Sequence, residues 1–324
     1  MVNNKSTRPY RDAETTLWHY YKAQPQENYL QLERPQRRLR VQVLGEGPPL
    51  LFLHGSPSCG TIWAALAAEL SACYRCFLLD LPGFGLSEAL DYRSGDIQAL
   101  VTEIIDSTLD ALALDQVSLV ASSSGGAMAY WYAMARPQRV RRIVQLGAPF
   151  VLEGAPVHMS NRLLAVPRLN QFLIGVLPVN LKAMRSVYSQ IGHGPAIEDG
   201  RIPACFLEWS VQLSAETDTM ATTANLVEAC MSWGGIRPEA IIDQAALARI
   251  TQPTQYIWSE GDPDGDATVA RETAKRTPNS ELHLLPGNGH LPWLDAAGEV
   301  AALMYSFLQP VATDDKVKQG TQIR

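Results

Sequence analysis

Cysteine is scarce, and the five present, Cys59, Cys73, Cys76, Cys205 and Cys230, are odd in number and irregularly spaced. That excludes the disulfide framework of a small secreted domain. Cys73 and Cys76 form a lone C-x-x-C at a strand start, with no second pair to complete a zinc site. Charged residues make up only 19% of the chain, and a net charge of −6 without a Lys/Arg stripe speaks against a nucleic-acid partner. The opening Met1-Val2-Asn3-Asn4-Lys5-Ser6-Thr7-Arg8 lacks the apolar segment of a secretory signal. No apolar run approaches the roughly 20 residues that span a bilayer. The expectation is a cytoplasmic protein with neither nucleic acid nor membrane among its partners. What is present is a 46% hydrophobic composition over 324 residues, enough for one large α/β domain or two ordinary ones.

The most informative stretch runs Val117-Ser118-Leu119-Val120-Ala121-Ser122-Ser123-Ser124-Gly125-Gly126 and continues into Ala127–Ala133. A short aliphatic run reads as a buried strand, and the alanine- and methionine-rich segment after it reads as a helix. A strand that turns sharply into a helix has no room for Cβ atoms beside the turn, so its neighbours must be small. Centred on Ser123, the flanking positions are Ala121 and Gly125, which reads as a nucleophile elbow with alanine for the first glycine of G-x-S-x-G. Centring on Ser124 is sterically allowed too, with Ser122 and Gly126 as the small neighbours. Centring on Ser122 is not, because it puts Val120 beside the turn.

Around the elbow the chain alternates strand and helix. Residues 1–12 read as a polar arm, and Ala13–Tyr21 as a helix whose aromatic stripe packs on the domain. Tyr29–Leu32 and Leu39–Leu44 alternate as a hairpin turning through Pro35. Leu50–Leu53 is a strand running into His54-Gly55-Ser56-Pro57; residues 62–70 are helical, and Cys76–Leu79 is a strand. Ile97–Leu112 is a helix and Val140–Leu146 a strand. Residues 151–245 then break the rhythm with helical pieces, among them Leu163–Leu173, Phe206–Leu213 and Thr222–Met231, interrupted by Pro167, Pro178, Pro195 and Pro203. So long a segment is implausible as a structureless loop, which makes it a helical insertion. The rhythm returns with the strand Gln255–Trp258, a helix over Ala267–Thr277, the strand Glu281–Leu285 and a helix over Gly298–Leu308. The expected division is an arm and helix over 1–24, core over 25–150 and 246–310, the insertion over 151–245, and a flexible tail over 311–324.

A serine hydroxyl is a poor nucleophile until a base takes its proton. Of the six histidines, His290 follows the last strand in the glycine-rich loop Leu285-Pro286-Gly287-Asn288-Gly289-His290. Loops after the strands of a parallel sheet gather on one edge, the edge that carries the elbow. The imidazole needs a carboxylate to fix its tautomer, and the loop Ser259-Glu260-Gly261-Asp262-Pro263-Asp264-Gly265-Asp266 offers four. Asp262, just past the strand and before a proline, is preferred, with Glu260, Asp264 and Asp266 left as alternatives. The alternating aspartates hint at a calcium loop, but Ala267 stands where that loop needs glycine and Thr273 where it needs glutamate. No metal and no cofactor are expected. Cys59, near the His-Gly turn, reads as a space-filling residue.

These motifs, His54-Gly55-Ser56-Pro57, Asp80-Leu81-Pro82-Gly83-Phe84-Gly85-Leu86-Ser87, the elbow, Ser259–Pro263 and Gly289-His290-Leu291-Pro292, resemble the α/β-hydrolase fold superfamily in type and order. The resemblance implies a mostly parallel eight-stranded sheet flanked by helices, with the insertion as a cap after strand 6. It implies Ser123, Asp262 and His290 as triad, and the backbone N–H groups of Ser56 and Ser124 as oxyanion hole. His54 is then a structural residue of its turn. The His-Gly-x-Pro turn and cap are similar to the haloalkane dehalogenase and epoxide hydrolase branch, which attacks with aspartate. A serine ether could not be hydrolysed as an alkyl ester on carboxylate is, so those activities are disfavoured. The expected reaction is acyl transfer on a small to medium apolar ester, lactone or thioester. The alternatives are C–C hydrolysis of a diketone-type substrate, and a lyase or ligand receptor on the same fold. Meta-cleavage C–C hydrolases carry a glycine-rich turn that Ser56-Pro57-Ser58-Cys59 does not match. Expected partners are the apolar substrate and, as an open option, a second copy in a homodimer.

Overall fold

The computed structural model describes residues 7–287 and 289–309. Most of the expected polar arm, residues 1–6, and the tail from 310 onward lie outside them. Helix α1 (Arg8–Tyr20) starts five residues before the expected Ala13, with Pro9 in its first turn. It buries Tyr10, Glu14, Leu17 and Trp18. The hairpin is β1 (Gln26–Leu32) and β2 (Arg37–Leu44), followed by β3 (Pro49–Leu53), α2 (Ala64–Leu70) and β4 (Arg75–Leu79). Next come α3 (Ile97–Ala111), β5 (Val117–Ser122), α4 (Ser123–Ala135) and β6 (Val140–Pro149).

The insertion holds α5 (Met159–Leu164), α6 (Leu169–Val176), α7 (Leu181–Tyr188), a π turn over Ser189–His193, and α8 (Gly194–Glu198). It continues with α9 (Ala204–Glu216), α10 (Thr219–Cys230), a two-stranded ribbon of β7 (Met231–Ser232) and β8 (Gly235–Ile236), and α11 (Gln244–Ala248). The expected helix over Leu163–Leu173 is broken in two, because Pro167 cannot continue α5 and Arg168 takes a φ of 69°. The chain closes with β9 (Thr254–Ser259), α12 (Ala267–Arg276), β10 (Ser280–Leu285) and α13 (Pro292–Leu308). Here too the helix starts earlier than expected, at a proline.

Eight strands form one sheet in the order β1-β2-β4-β3-β5-β6-β9-β10. Only β2 runs antiparallel to its neighbours β1 and β4; the other pairings are parallel. Side chains alternate along each strand, so successive residues feed opposite faces. Leu51, Leu53, Leu119 and Ala121 join the core beneath α3 and α4, whereas Leu50, Phe52 and Val120 join the core beneath α1, α2 and α13. All six residues of β5 are buried, as a central strand covered on both faces requires.

The strand order reverses between β3 and β5, since β4 lies on one side of β3 and β6 on the far side of β5. Chain leaving β3 and β5 at their carboxyl ends therefore departs in opposite directions and opens a crevice between them. The His54–Ser58 turn and the three serines sit on the two lips of that crevice.

Candidate active site

The elbow has the backbone that its sequence calls for. Ser122 is extended, with φ −146° and ψ 149°, and Ser123 follows with φ 51°, a left-handed value that a non-glycine residue adopts at a cost of about 1–3 kcal/mol. Neighbouring glycines make room. A Cβ on Gly125 would stand 2.1 Å from the Leu53 carbonyl oxygen, and one on Gly55 would stand 2.7 Å from the Ser123 Cβ. Ser122 and Ser124 are buried, and Ser123 alone of the three is partly exposed. It lines a cavity with Ala148, Phe150, Leu152, Val157, Met231 and Asp264.

Ser124 lies in the first turn of α4, where the helix supplies no carbonyl for its N–H. Its hydroxyl donates to Ser56 Oγ at 3.3 Å, tying the two expected oxyanion donors together. The turn that carries Ser56 is anchored from behind. Asp80, fully buried, accepts from the N–H groups of Gly60 at 2.8 Å and Leu86 at 3.0 Å. Burial pushes its pKa up, against the pull of Arg40. Arg40 is itself buried and pairs with Glu14 and Glu27.

Asp262 is buried, and both its carboxylate oxygens lie within reach of His290 Nδ1, at 2.9 and 3.0 Å. It is fixed from two further sides, by the N–H of Ala148 at 2.8 Å and of Asp264 at 2.9 Å. Gly147 makes the approach feasible, because a Cβ there would stand 2.1 Å from the His290 carbonyl oxygen. The other three acids of the loop do different work. Glu260 is exposed, and Asp266 caps α12 by accepting from the N–H groups of Thr268 and Val269. Asp264 approaches the imidazole from the opposite side, with Oδ2 3.2 Å from His290 Nε2. That approach is by charge and lacks hydrogen-bond alignment, so the buried Nε2 has no hydrogen-bond partner. Asp264 also pairs with His158 Nε2 at 2.8 Å, which makes a chain Asp262–His290–Asp264–His158.

Burial alone would lower the His290 pKa, but the carboxylates of Asp262 and Asp264 outweigh it and hold the imidazole at about 9. A base must be neutral to accept a proton, so activity should be lost as pH falls through that value. We expect kcat/KM to rise on a single limb centred well above the ordinary histidine value of about 6.5. Asp264→Asn removes one of the two raising charges and should move the limb to lower pH. A wild-type limb at or below the ordinary value, or one unmoved by Asp264→Asn, would contradict this reading of the site.

The remaining expectations also find their places. His54 is buried and neutral: its Nε2 accepts from the Leu81 N–H at 3.1 Å, its Nδ1 lies 2.8 Å from the Gly55 carbonyl, and burial lowers its pKa to about 4. It is no base. Cys59 is fully buried with its Sγ 3.3 Å from Tyr10 Oη, and burial, with Asp80 next, raises its thiol far from ionisation. Cys73 is exposed and Cys76 buried, and both are free.

Sequence reasoning missed one pair altogether. His193, in the π turn, lies with Nδ1 2.7 Å from Asp295 Oδ1, and both side chains are almost fully buried. The other Asp295 oxygen accepts from the Gly289 N–H at 2.9 Å, and His193 Nε2 accepts from the Leu291 N–H at 3.2 Å. His290 itself donates its N–H to the Ile191 carbonyl at 2.9 Å. The N–H groups of His290 and Leu291 thus go to the insertion, and that of Gly289 to the Asp295 carboxylate of α13 that pairs with His193. The Asp295 signal was available as an acid one turn into α13; its partner, about a hundred residues earlier, had none.

A serine at a strand-to-helix elbow beside a parallel sheet's switch point, with a histidine–aspartate pair on the later loops of the same edge, is an arrangement of the α/β-hydrolase kind, although His290 Nε2 makes no hydrogen bond to Ser123 here. The chain belongs to the alpha/beta hydrolase family, whose model matches residues 50–303. It is 26% identical over 286 residues to a 2-hydroxy-6-oxononadienedioate/2-hydroxy-6-oxononatrienedioate hydrolase of Cupriavidus pinatubonensis, covering 84% of this chain and 90% of that one. It is also 26% identical over 272 residues to a pimeloyl-[acyl-carrier protein] methyl ester esterase of Nitrosospira multiformis, covering 83% of this chain and 97% of that one. Among solved structures, a thermophilic esterase from Thermogutta terrifontis superposes with a TM-score of 0.71 at 19% identity, over 87% of this chain and 98% of that one. The chain is a hydrolase.

Proposed function

We propose that this hydrolase cleaves a small to medium, uncharged apolar ester, lactone or thioester through an acyl-enzyme. Ser123 Oγ attacks the carbonyl carbon, and His290 Nε2 takes its proton. Asp262 holds Nδ1–H and stabilises the imidazolium, and the N–H groups of Ser56 and Ser124 receive the developing oxyanion. Collapse expels the leaving group with the proton from His290, and water repeats the sequence on the acyl-serine. The insertion over 151–245 serves as a cap, supplying one wall of the pocket. The five free thiols suit a reducing cytoplasm.

One observation carries the preference for a neutral substrate. Among the described residues that line the cavity around Ser123 there is no lysine or arginine, and the only charged one is Asp264. A carboxylate beside the nucleophile and an otherwise uncharged wall penalise a dianion, which would be buried without a cationic partner. The second reading, C–C hydrolysis, is favoured by the dienedioate hydrolase relative. A panel separates them. A short-chain nitrophenyl ester should turn over with kcat/KM on the order of a hundredfold above a vinylogous diketone dicarboxylate, given about 2–3 kcal/mol for the unpaired buried charge. The reverse order would transfer the assignment to C–C hydrolysis.

A further inference from the structure

The chain carries 33 acidic residues, yet none falls between Glu153 and Glu198. Arg162, Arg168, Lys182 and Arg185 stand in that interval, so it is locally cationic in a protein of net charge −6. The same interval holds most of the exposed apolar surface. Nine large apolar side chains are exposed among the described residues, and seven of them lie between Met159 and Val187. Phe172 is 63% exposed, Val176 58% and Leu177 56%. Val179, Leu181 and Val187 are exposed as well, in α7 and the link before it. Arg168, Lys182 and Arg185 are exposed between them, and their side chains form no ion pair among the described residues.

A surface that is apolar, cationic and without counter-ions is one that a lone folded chain rarely leaves bare. A second copy seated on it by two-fold symmetry would set the patch against itself, cation against cation, in a contact losing water. An anionic lipid surface suits both properties at once. Apolar side chains enter the boundary between headgroups and acyl chains, and arginine and lysine meet the phosphates. The helices α6 and α7 are short, and no described helix is long and apolar enough to cross a membrane, which fits lying on a bilayer and not through it. The lack of a spanning run bears only on crossing, so it leaves surface docking open. Val157 and Asn161, on either side of Met159, line the Ser123 cavity, so the patch begins where the pocket wall ends.

We propose that the 159–187 face docks reversibly onto an anionic lipid surface. The test is co-sedimentation of the full chain with phosphatidylcholine vesicles, with and without about one-third phosphatidylglycerol. The wild type should partition onto the anionic vesicles at least about tenfold more strongly than onto phosphatidylcholine alone, and raising salt from about 0.1 to 0.5 M should release it. The triple variant Arg168→Glu/Lys182→Glu/Arg185→Glu should lose about a hundredfold or more in partition. Phe172→Ser/Leu177→Ser should weaken partition by about tenfold, with the remaining binding still released by salt. All these positions are exposed, so unchanged thermal unfolding is expected; should a variant unfold, the wild-type lipid and salt dependence still decides. Wild type left in the supernatant, or equal partition onto both vesicles, overturns the proposal. So does a dimer by light scattering that the same substitutions break, which would assign the face to a second copy. None of these readouts uses turnover, so they stand apart from the ester reading.

Discussion

Ser123→Ala should lower kcat on an ester by on the order of a hundred-thousandfold, leaving only what binding and the oxyanion donors supply. The neighbouring serines should behave quite differently. Ser122 Oγ is buried without a hydrogen-bond partner, so Ser122→Ala removes a hydroxyl that nothing uses and should leave kcat within about threefold and stability unchanged or improved. Ser124→Ala removes the 3.3 Å hydrogen bond to Ser56 Oγ but keeps the backbone N–H, and a loss of about tenfold or less is expected. Initial rates with a nitrophenyl ester, alongside thermal unfolding of each variant, give the comparison. A crippled Ser124→Ala with an active Ser123→Ala would shift the elbow by one residue.

Asp262→Asn should cost on the order of a thousandfold or more in kcat. An amide in that position can present its NH2 to Nδ1, which traps the imidazole with its proton on Nε2, the atom that must accept from serine. The loss extends beyond the ring, because the same carboxylate receives the N–H groups of Ala148 and Asp264. Asp264→Asn should do the opposite at neutral pH. It removes a charge that holds His290 protonated, so a larger fraction of the enzyme has its base free and kcat/KM should rise. The pair of variants separates two acids of one loop that composition alone cannot rank. A crippling Asp264→Asn together with a mild Asp262→Asn would exchange their roles.

How much of this was legible in the sequence depended on the range of each interaction. The elbow could be read because its requirement is local: a left-handed serine needs small residues within two positions, and Ala121 and Gly125 supply them. The central strands could be read because burial on both faces leaves nearly continuous aliphatic runs, as in Leu50–Leu53 and Val117–Ala121. Asp262 was preferred on loop position, and the structure sets it against Nδ1. The starts of α1 and α13 were placed too late, at Ala13 and Gly298; in the structure Pro9 and Pro292 stand in the first turns, where proline costs no hydrogen bond and presets φ. Asp264's contact with Nε2, and the His193–Asp295 clasp on residues 289–291, had no sequence trace. The first depends on how the loops after the neighbouring strands β9 and β10 turn toward each other, and the second on how the insertion packs on the sheet edge. The short β7–β8 ribbon was missed for a related reason, since strands of two residues carry no periodicity to detect.

The central claim is that Ser123, activated by His290 and facing an oxyanion hole, is the nucleophile. A fluorophosphonate probe tests it most directly, because it bonds only to an activated hydroxyl and its adduct imitates the tetrahedral intermediate. Digestion and fragmentation of the labelled protein can place the adduct among Ser122, Ser123 and Ser124. A single adduct on Ser123 is expected, absent from Ser123→Ala and strongly slowed in His290→Ala. An adduct on either neighbouring serine, or none on folded protein with a probe small enough to pass the cap, would contradict it.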